Sequence, residues 1–229
     1  MLVILHGALG SAHQFNSLCE HYPQGRVVEF YGHGAQVALQ GQPSIDAFVD
    51  QLEAELVAIG LPCNVFGYSM GGYVAMMLAL RRPELFRAIL TLGTKLAWSE
   101  DTAASEAMKL QPDVIRAKVP AYAEDLARRH GDDRWPRLLA ETAAVMADLG
   151  SNPRLTTDSV RSMSVPTRLC VGDRDEMVSI DETLGLYRGL QAGADGKRHQ
   201  MAVLPGVRHP IEKAPVHVVR QHIDEWLAG

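Results

Sequence analysis

Gly67-Tyr68-Ser69-Met70-Gly71 stands between a short apolar run, Asn64–Tyr68, and a longer helical stretch, Met70–Arg82, that Pro83 stops. The order predicts a strand, a sharp turn centred on Ser69, and a helix. At such a turn the serine backbone is driven into a strained conformation, and glycine on either side avoids the clashes a side chain would cause. The hydroxyl then stands clear of the strand end at the amino end of the helix, as an exposed nucleophile requires. Ser69 is the candidate nucleophile.

Outward from this turn, short apolar runs alternate with helical patterns. Strands are expected at Leu2–Leu5, Arg26–Phe30, Asn64–Tyr68, Ala88–Leu92, Arg168–Val171 and Met201–Leu204. Several are apolar throughout, as strands covered on both faces must be. Ser44 is placed to cap a helix whose Ile45, Phe48, Leu52, Leu56 and Ile59 follow helical spacing, with Gly60 and Pro62 ending it. A last helix is expected over Val216–Leu227. This alternation means β-α-β units and a mostly parallel sheet of about six strands. It breaks between about 96 and 164, where helical pieces are read at Ser99–Leu110, Ala121–His130 and Trp135–Leu149, with Gly150 following the end of the last. Residues 1–95 and 165–229 are thus expected to form the core, and 96–164 a helical cap over the sheet's carboxyl edge, where open α/β folds bind ligands.

A serine hydroxyl needs a base. Of nine histidines, His209 lies in Leu204-Pro205-Gly206-Val207-Arg208-His209-Pro210, a loop between the last strand and last helix that emerges at the same edge as Ser69. His217 and His222 fall inside the last helix; His13, His21, His130 and His199 have no comparable position. The imidazole in turn needs a carboxylate to hold its tautomer, and Gly172-Asp173-Arg174-Asp175-Glu176-Met177-Val178 offers three acids in one loop. The oxyanion formed during acyl transfer needs two preorganised donors. These are expected to be the backbone N–H of Met70 and that of Ala8, in the loop His6-Gly7-Ala8-Leu9-Gly10-Ser11, with His6 orienting the loop rather than reacting.

The chain resembles the α/β-hydrolase superfamily through Leu5-His6-Gly7, Gly32-His33-Gly34, Gly67-Tyr68-Ser69-Met70-Gly71-Gly72, Gly172 to Val178, and Pro205 to His209 with Glu212 following. The resemblance runs nearly end to end and implies an α/β-hydrolase fold with a helical cap insertion. The order Ser69, acid, His209 is the family's order. The family's G-x-x-D with a valine three positions on implies Asp175 as the acid, with Asp173 a turn former. Three departures stand out. His6 comes nearly at the start, which implies a sheet shortened at one edge. Glu29-Phe30-Tyr31-Gly32-His33-Gly34 replaces the usual D-x-P-G-H-G and is expected to stand clear of catalysis. Arg208 occupies a position that is often glycine.

The resemblance implies a carboxylesterase-like enzyme cleaving a small or medium ester or thioester through an acyl-enzyme, with no cofactor and no metal. Two alternatives remain: a carbon–carbon bond hydrolase or the menaquinone-pathway lyase, and a non-catalytic small-molecule receptor. The lyase would carry an arginine where this chain has Tyr73. Lys95, Arg208 and the cap's Arg128, Arg129, Arg134 and Arg137 are the cations that an acidic substrate would meet.

Composition agrees with a globular protein. The 229 residues suffice for one well-buried domain, and 22 basic against 27 acidic residues give a net charge of −5, with a pI near 6.0. That balance argues against nucleic-acid or polybasic membrane partners. Cys19, Cys63 and Cys170 form no C-x-x-C pair or disulfide framework. Met1–Leu5 is too short for a signal-peptide core and Tyr73–Leu80 too short to span a bilayer. No H-E-x-x-H or G-x-x-x-x-G-K motif occurs. The expectation is a cytoplasmic protein, monomer or homodimer, acting on a small-molecule ester.

Overall fold

The structure, a computed structural model, describes residues 1–36 and 44–228. In chain order its regular elements are β1 (Leu2–Leu5), α1 (Asn16–Cys19), β2 (Arg26–Val28), α2 (Ile45–Ile59), β3 (Cys63–Tyr68), α3 (Met70–Arg81), β4 (Phe86–Leu92), α4 (Glu100–Met108), α5 (Pro112–Lys118), α6 (Pro120–His130), α7 (Trp135–Ser151), β5 (Thr167–Gly172), α8 (Ile180–Gln191), β6 (Gln200–Leu204) and α9 (Val216–Ala228).

The six strands form one parallel sheet in the order β2-β1-β3-β4-β5-β6. Strand side chains alternate between faces, and β1 makes the consequence plain. Val3 and Leu5 enter a core shared with α2, α3 and α8, whereas Leu2 and Ile4 enter a second core shared with α1 and α9. All four residues of β1 are therefore buried, which is why its sequence is apolar without alternation. Beside β1 the chain lays β2 on one side and β3 on the other. That reversal is the switch point at which open α/β sheets open a crevice beyond their carboxyl ends.

Local signals set the helix limits. Ser44 Oγ accepts from the Ala47 N–H at 3.2 Å, and α2 ends where Gly60 turns left-handed. At the start of α8, Ser179 and Glu182 form a reciprocal capping box. Three helices went unread in the sequence: α1 is a single turn, α5 is short and mostly exposed, and α8 lies in a stretch whose acids drew the reading toward its loop. α7 runs through Gly150 rather than stopping before it. A Cβ at Gly150 would lie 2.6 Å from Ala103 Cβ, so this glycine admits α4 against α7 instead of ending the helix. β2 stops at Val28, two residues sooner than expected, because the N–H groups of Phe30 and Tyr31 leave the sheet for His6 Nε2 and Gln51 Oε1.

The helices α4–α7 all lie between β4 and β5. A third apolar core, formed by Ile115, Ala123, Leu126, Trp135, Leu138 and Leu139, closes over Leu9 from the loop after β1. Among the described residues, no helix is long and apolar enough to cross a membrane.

Candidate active site

Parallel pairing brings the loops that follow β1, β3, β4, β5 and β6 to one edge. Leu5 is in register with Gly67, Leu92 with Cys170, and Gly172 with Leu204. Ser69, Asp175 and His209 meet there.

Ser69 adopts φ 51°, ψ −118°, outside the regions a serine ordinarily occupies. Such a conformation costs on the order of 1–3 kcal/mol and persists only where surroundings enforce it. Here the Ser69 N–H donates to the Leu92 carbonyl at 2.9 Å, and the Ser69 carbonyl accepts from Thr94 Oγ1 at 3.0 Å. The turn itself is tight: a Cβ on Gly67 would sit 2.5 Å from Gly72 Cα. Ser69 Oγ lies 3.3 Å from His209 Nε2. On the ring's far side, His209 Nδ1 lies 2.9 Å from Asp175 Oδ2. The Asp175 carboxylate is buried, and its Oδ1 accepts from the N–H groups of Met177 at 2.9 Å and Val178 at 2.8 Å. With Nδ1–H donating to the acid, Nε2 is left as the acceptor facing the serine hydroxyl. The Tyr68 hydroxyl donates to the His209 carbonyl at 2.8 Å and anchors the loop from beneath.

Asp173 is turned elsewhere. Its Oδ1 accepts from the Gly206 N–H at 2.6 Å, tying the turn after β5 to the turn after β6. The two aspartates of one loop thus do different jobs, one facing His209 and one holding the loop that carries it.

Gly93 is a residue of the site that sequence reading missed. Its φ is +60°, and a Cβ there would lie 3.0 Å from Asp175 Oδ2 and 3.4 Å from His209 Nδ1. A glycine directly after an apolar strand run is its only sequence signal.

A narrow cavity of about 630 Å³, including its opening to solvent, runs from Ser69 beneath α7. Its walls are mainly apolar: Ile45, Phe48, Met70, Leu138, Val145, Met146 and Leu149, with Ala8 and Met177 beside the serine. Tyr31 and His33, from the stretch expected to stand clear of catalysis, also line it. Tyr73 lines the wall, but its hydroxyl is occupied, accepting from the N–H groups of Arg154 at 3.1 Å and Leu155 at 3.0 Å.

The cations separate by position. Arg208 pairs with Glu176, Arg128 and Arg129 with Asp125, and Arg137 with Glu141 at 2.7 Å. Arg134 donates to the Gly34 carbonyl at 2.6 Å. Among the described residues, Lys95 is the cation that lines the cavity with Ser69, and its Nζ is 3.4 Å from Glu182 Oε2.

A second group of imidazoles lies behind the loop after β1. His6 Nε2 accepts from the Phe30 N–H at 3.0 Å while Nδ1 donates to the Gly7 carbonyl at 2.7 Å. Burial lowers its pKa to about 4. Burial likewise pushes His33 well below the usual histidine range and His130 downward.

Comparison with known proteins agrees with this architecture. The family model of the thioesterase domain matches residues 1–182. The chain is 37% identical over 97 residues to the sn-1-specific diacylglycerol lipase ABHD11 of Mus musculus, covering 40% of this chain and 31% of that protein. It is 33% identical over 131 residues to the pimeloyl-[acyl-carrier protein] methyl ester esterase of Neisseria meningitidis serogroup C, covering 55% of this chain and 48% of that protein. The chain therefore spans less than half the length of these two relatives. In three dimensions it resembles NosK from Streptomyces actuosus with a TM-score of 0.82 at 24% identity, over 99% of this chain and 97% of the other.

Proposed function

The chain belongs to the thioesterase-domain family, with the α/β-hydrolase fold, and from that premise we propose that it cleaves a small or medium carboxylic ester or thioester through an acyl-enzyme on Ser69. The observation that carries this reading is the continuous contact from Ser69 Oγ to His209 to Asp175 at the mouth of an apolar cavity.

His209 Nε2 takes the hydroxyl proton as Ser69 Oγ attacks the acyl carbon. Asp175 holds the imidazole in the tautomer that leaves Nε2 free and stabilises the imidazolium that forms. The oxyanion of the tetrahedral intermediate is received by the N–H groups of Ala8 and Met70, which flank the serine in the cavity wall. Collapse breaks the bond to the alcohol or thiol, and His209 returns its proton to the leaving group. Water, activated by the same base, then releases the acid. Helices α4–α7 act as the cap, and the apolar wall of α7 supplies the acyl pocket. Its narrowness favours a single acyl chain over a polymeric fat.

The test is hydrolysis of p-nitrophenyl esters from acetate to decanoate, alongside an acyl thioester, by the wild type and Ser69→Ala. Turnover is expected to fall by at least about 1,000-fold in the variant, and the wild-type chain-length profile then sizes the pocket. Equal rates in the two proteins would overturn the serine mechanism.

A further inference from the structure

Leu9 is gripped by two imidazoles. Its N–H donates to His33 Nε2 at 3.2 Å, and its carbonyl accepts from His130 Nε2 at 3.0 Å. His33 uses Nδ1–H on the Tyr31 carbonyl, and His130 Nδ1 accepts from the Gly34 N–H, both at 3.0 Å. Every ring nitrogen is committed, so each ring is a neutral imidazole of one fixed tautomer. Leu9 itself has φ 58°, which a leucine rarely adopts. Its side chain is packed in the apolar core of α5–α7. Contacts from outside the loop therefore hold it in place.

The consequence reaches the site through two peptide planes. A trans peptide carries its carbonyl and its N–H on opposite edges of one plane. The Leu9–Gly10 peptide shows its carbonyl to His130 and its N–H to the Gly7 carbonyl at 3.0 Å. The Gly7–Ala8 peptide has its carbonyl held by Gly10 and by His6. Its opposite edge, the Ala8 N–H, must point the other way, and Ala8 lines the cavity beside Ser69 and Met70. Hydrogen bonds in such a series polarise one another.

We infer that His130, at the end of α6, is a positioning residue that sets the orientation of the Ala8 N–H through Leu9, Gly10 and Gly7. The inference rests on the proposed role of Ala8 as an oxyanion donor. It makes the seating of α6 on the core a condition for a formed oxyanion hole. Ordering the helical block and arming the serine are then one event.

Three variants separate this role from a purely structural one. In His130→Gln the amide nitrogen reaches the Nε2 position and can donate to Leu9. In His130→Asn the amide reaches only the Nδ1 position and serves Gly34. His130→Ala serves neither. With p-nitrophenyl butyrate, His130→Ala is expected to lose about 10- to 100-fold in kcat with KM within about twofold, because the donor acts on the transition state. His130→Gln should recover most of that loss. His130→Asn should stay as low as alanine while melting no lower than glutamine. Equal kcat across the three variants, with only melting temperatures changed, would overturn the inference.

Should the variants fail to fold, the wild type still decides. Phosphonylation of Ser69 by a p-nitrophenyl phosphonate should move the Gly10 amide and His130 Nε2 proton resonances together, and an unmoved His130 signal would overturn the inference. Undiminished turnover by Ser69→Ala would instead strike at the underlying serine reading, a distinct result.

Discussion

Two groups of histidine lie within this one fold, and they are held in contrasting ways. His209 is partly open to solvent, has one nitrogen on a carboxylate, and faces a hydroxyl across 3.3 Å with the other. His6, His33 and His130 are buried, and each spends both nitrogens on backbone groups at 2.7–3.2 Å. A ring whose second nitrogen meets a side chain that can give up a proton is free to do chemistry. A ring whose nitrogens join two backbone groups works as a rivet. Residue type is the same, and the partners decide the role.

The strongest way to break this contrast is to remove one member of each group. His209→Ala should cost at least about 1,000-fold in kcat, with little change in unfolding free energy. His33→Ala should instead lose stability, with a smaller effect on kcat through Leu9. It leaves the buried Leu9 N–H and Tyr31 carbonyl without partners, at about 3 kcal/mol in urea unfolding. A stability loss in the first variant as large as in the second would erase the distinction.

Acid sharpens the same contrast without mutation. His6 has its pKa lowered from 6.5 to about 4 on folding. Above pH 6.5 neither state binds the extra proton, so the stability it contributes is fully present. Between 6.5 and 4 the unfolded chain takes up a proton that the folded chain refuses, so stability falls with pH. For His6 alone the loss approaches the order of 3 kcal/mol near pH 4, and His33 and His130 shift in the same direction and steepen the curve. Urea unfolding at pH 7 and at half-unit steps down to 4.5 should show this slope. A flat profile would mean that the buried rings accept protons freely.

Smaller effects probe the edges of the two groups. Gly93→Ala forces a side chain into a left-handed backbone and against Asp175 and His209. A roughly 10-fold loss of kcat is expected, with about 1 kcal/mol of stability; unchanged kcat would show that the acid and base tolerate displacement. Arg208→Gln breaks an exposed pair with Glu176 and should alter stability by less than about 0.5 kcal/mol. Its kcat/KM on neutral esters should stay within about twofold, and a larger drop would give Arg208 a part in binding.

Much of this arrangement was legible before any coordinates. Apolar runs such as Leu2–Leu5 announced doubly covered strands, because a strand buried on both faces has no polar side to show. The glycines around Ser69 announced the tight turn. Less visible were features whose reason lies across the chain. Gly150 looked like a helix stop and is an approach point for α4. Gly93 carried no local hint that Asp175 would pass within reach of its Cα. His130 offered no motif, since its partners Leu9 and Gly34 are 121 and 96 residues away.

By itself the sequence determined the order of strands and helices, the sharp turn at Ser69, and the loops that carry the acids and His209. These follow from hydrophobic period and glycine sterics, which act between near neighbours. The family pattern had already implied Asp175 over Asp173; tertiary structure alone decided that Arg128, Arg129, Arg134 and Arg137 pair with acids or backbone carbonyls, and that three distant histidines close around one turn. Those outcomes depend on which loops parallel pairing and helix packing bring together, and no local pattern encodes a meeting between residues a hundred positions apart.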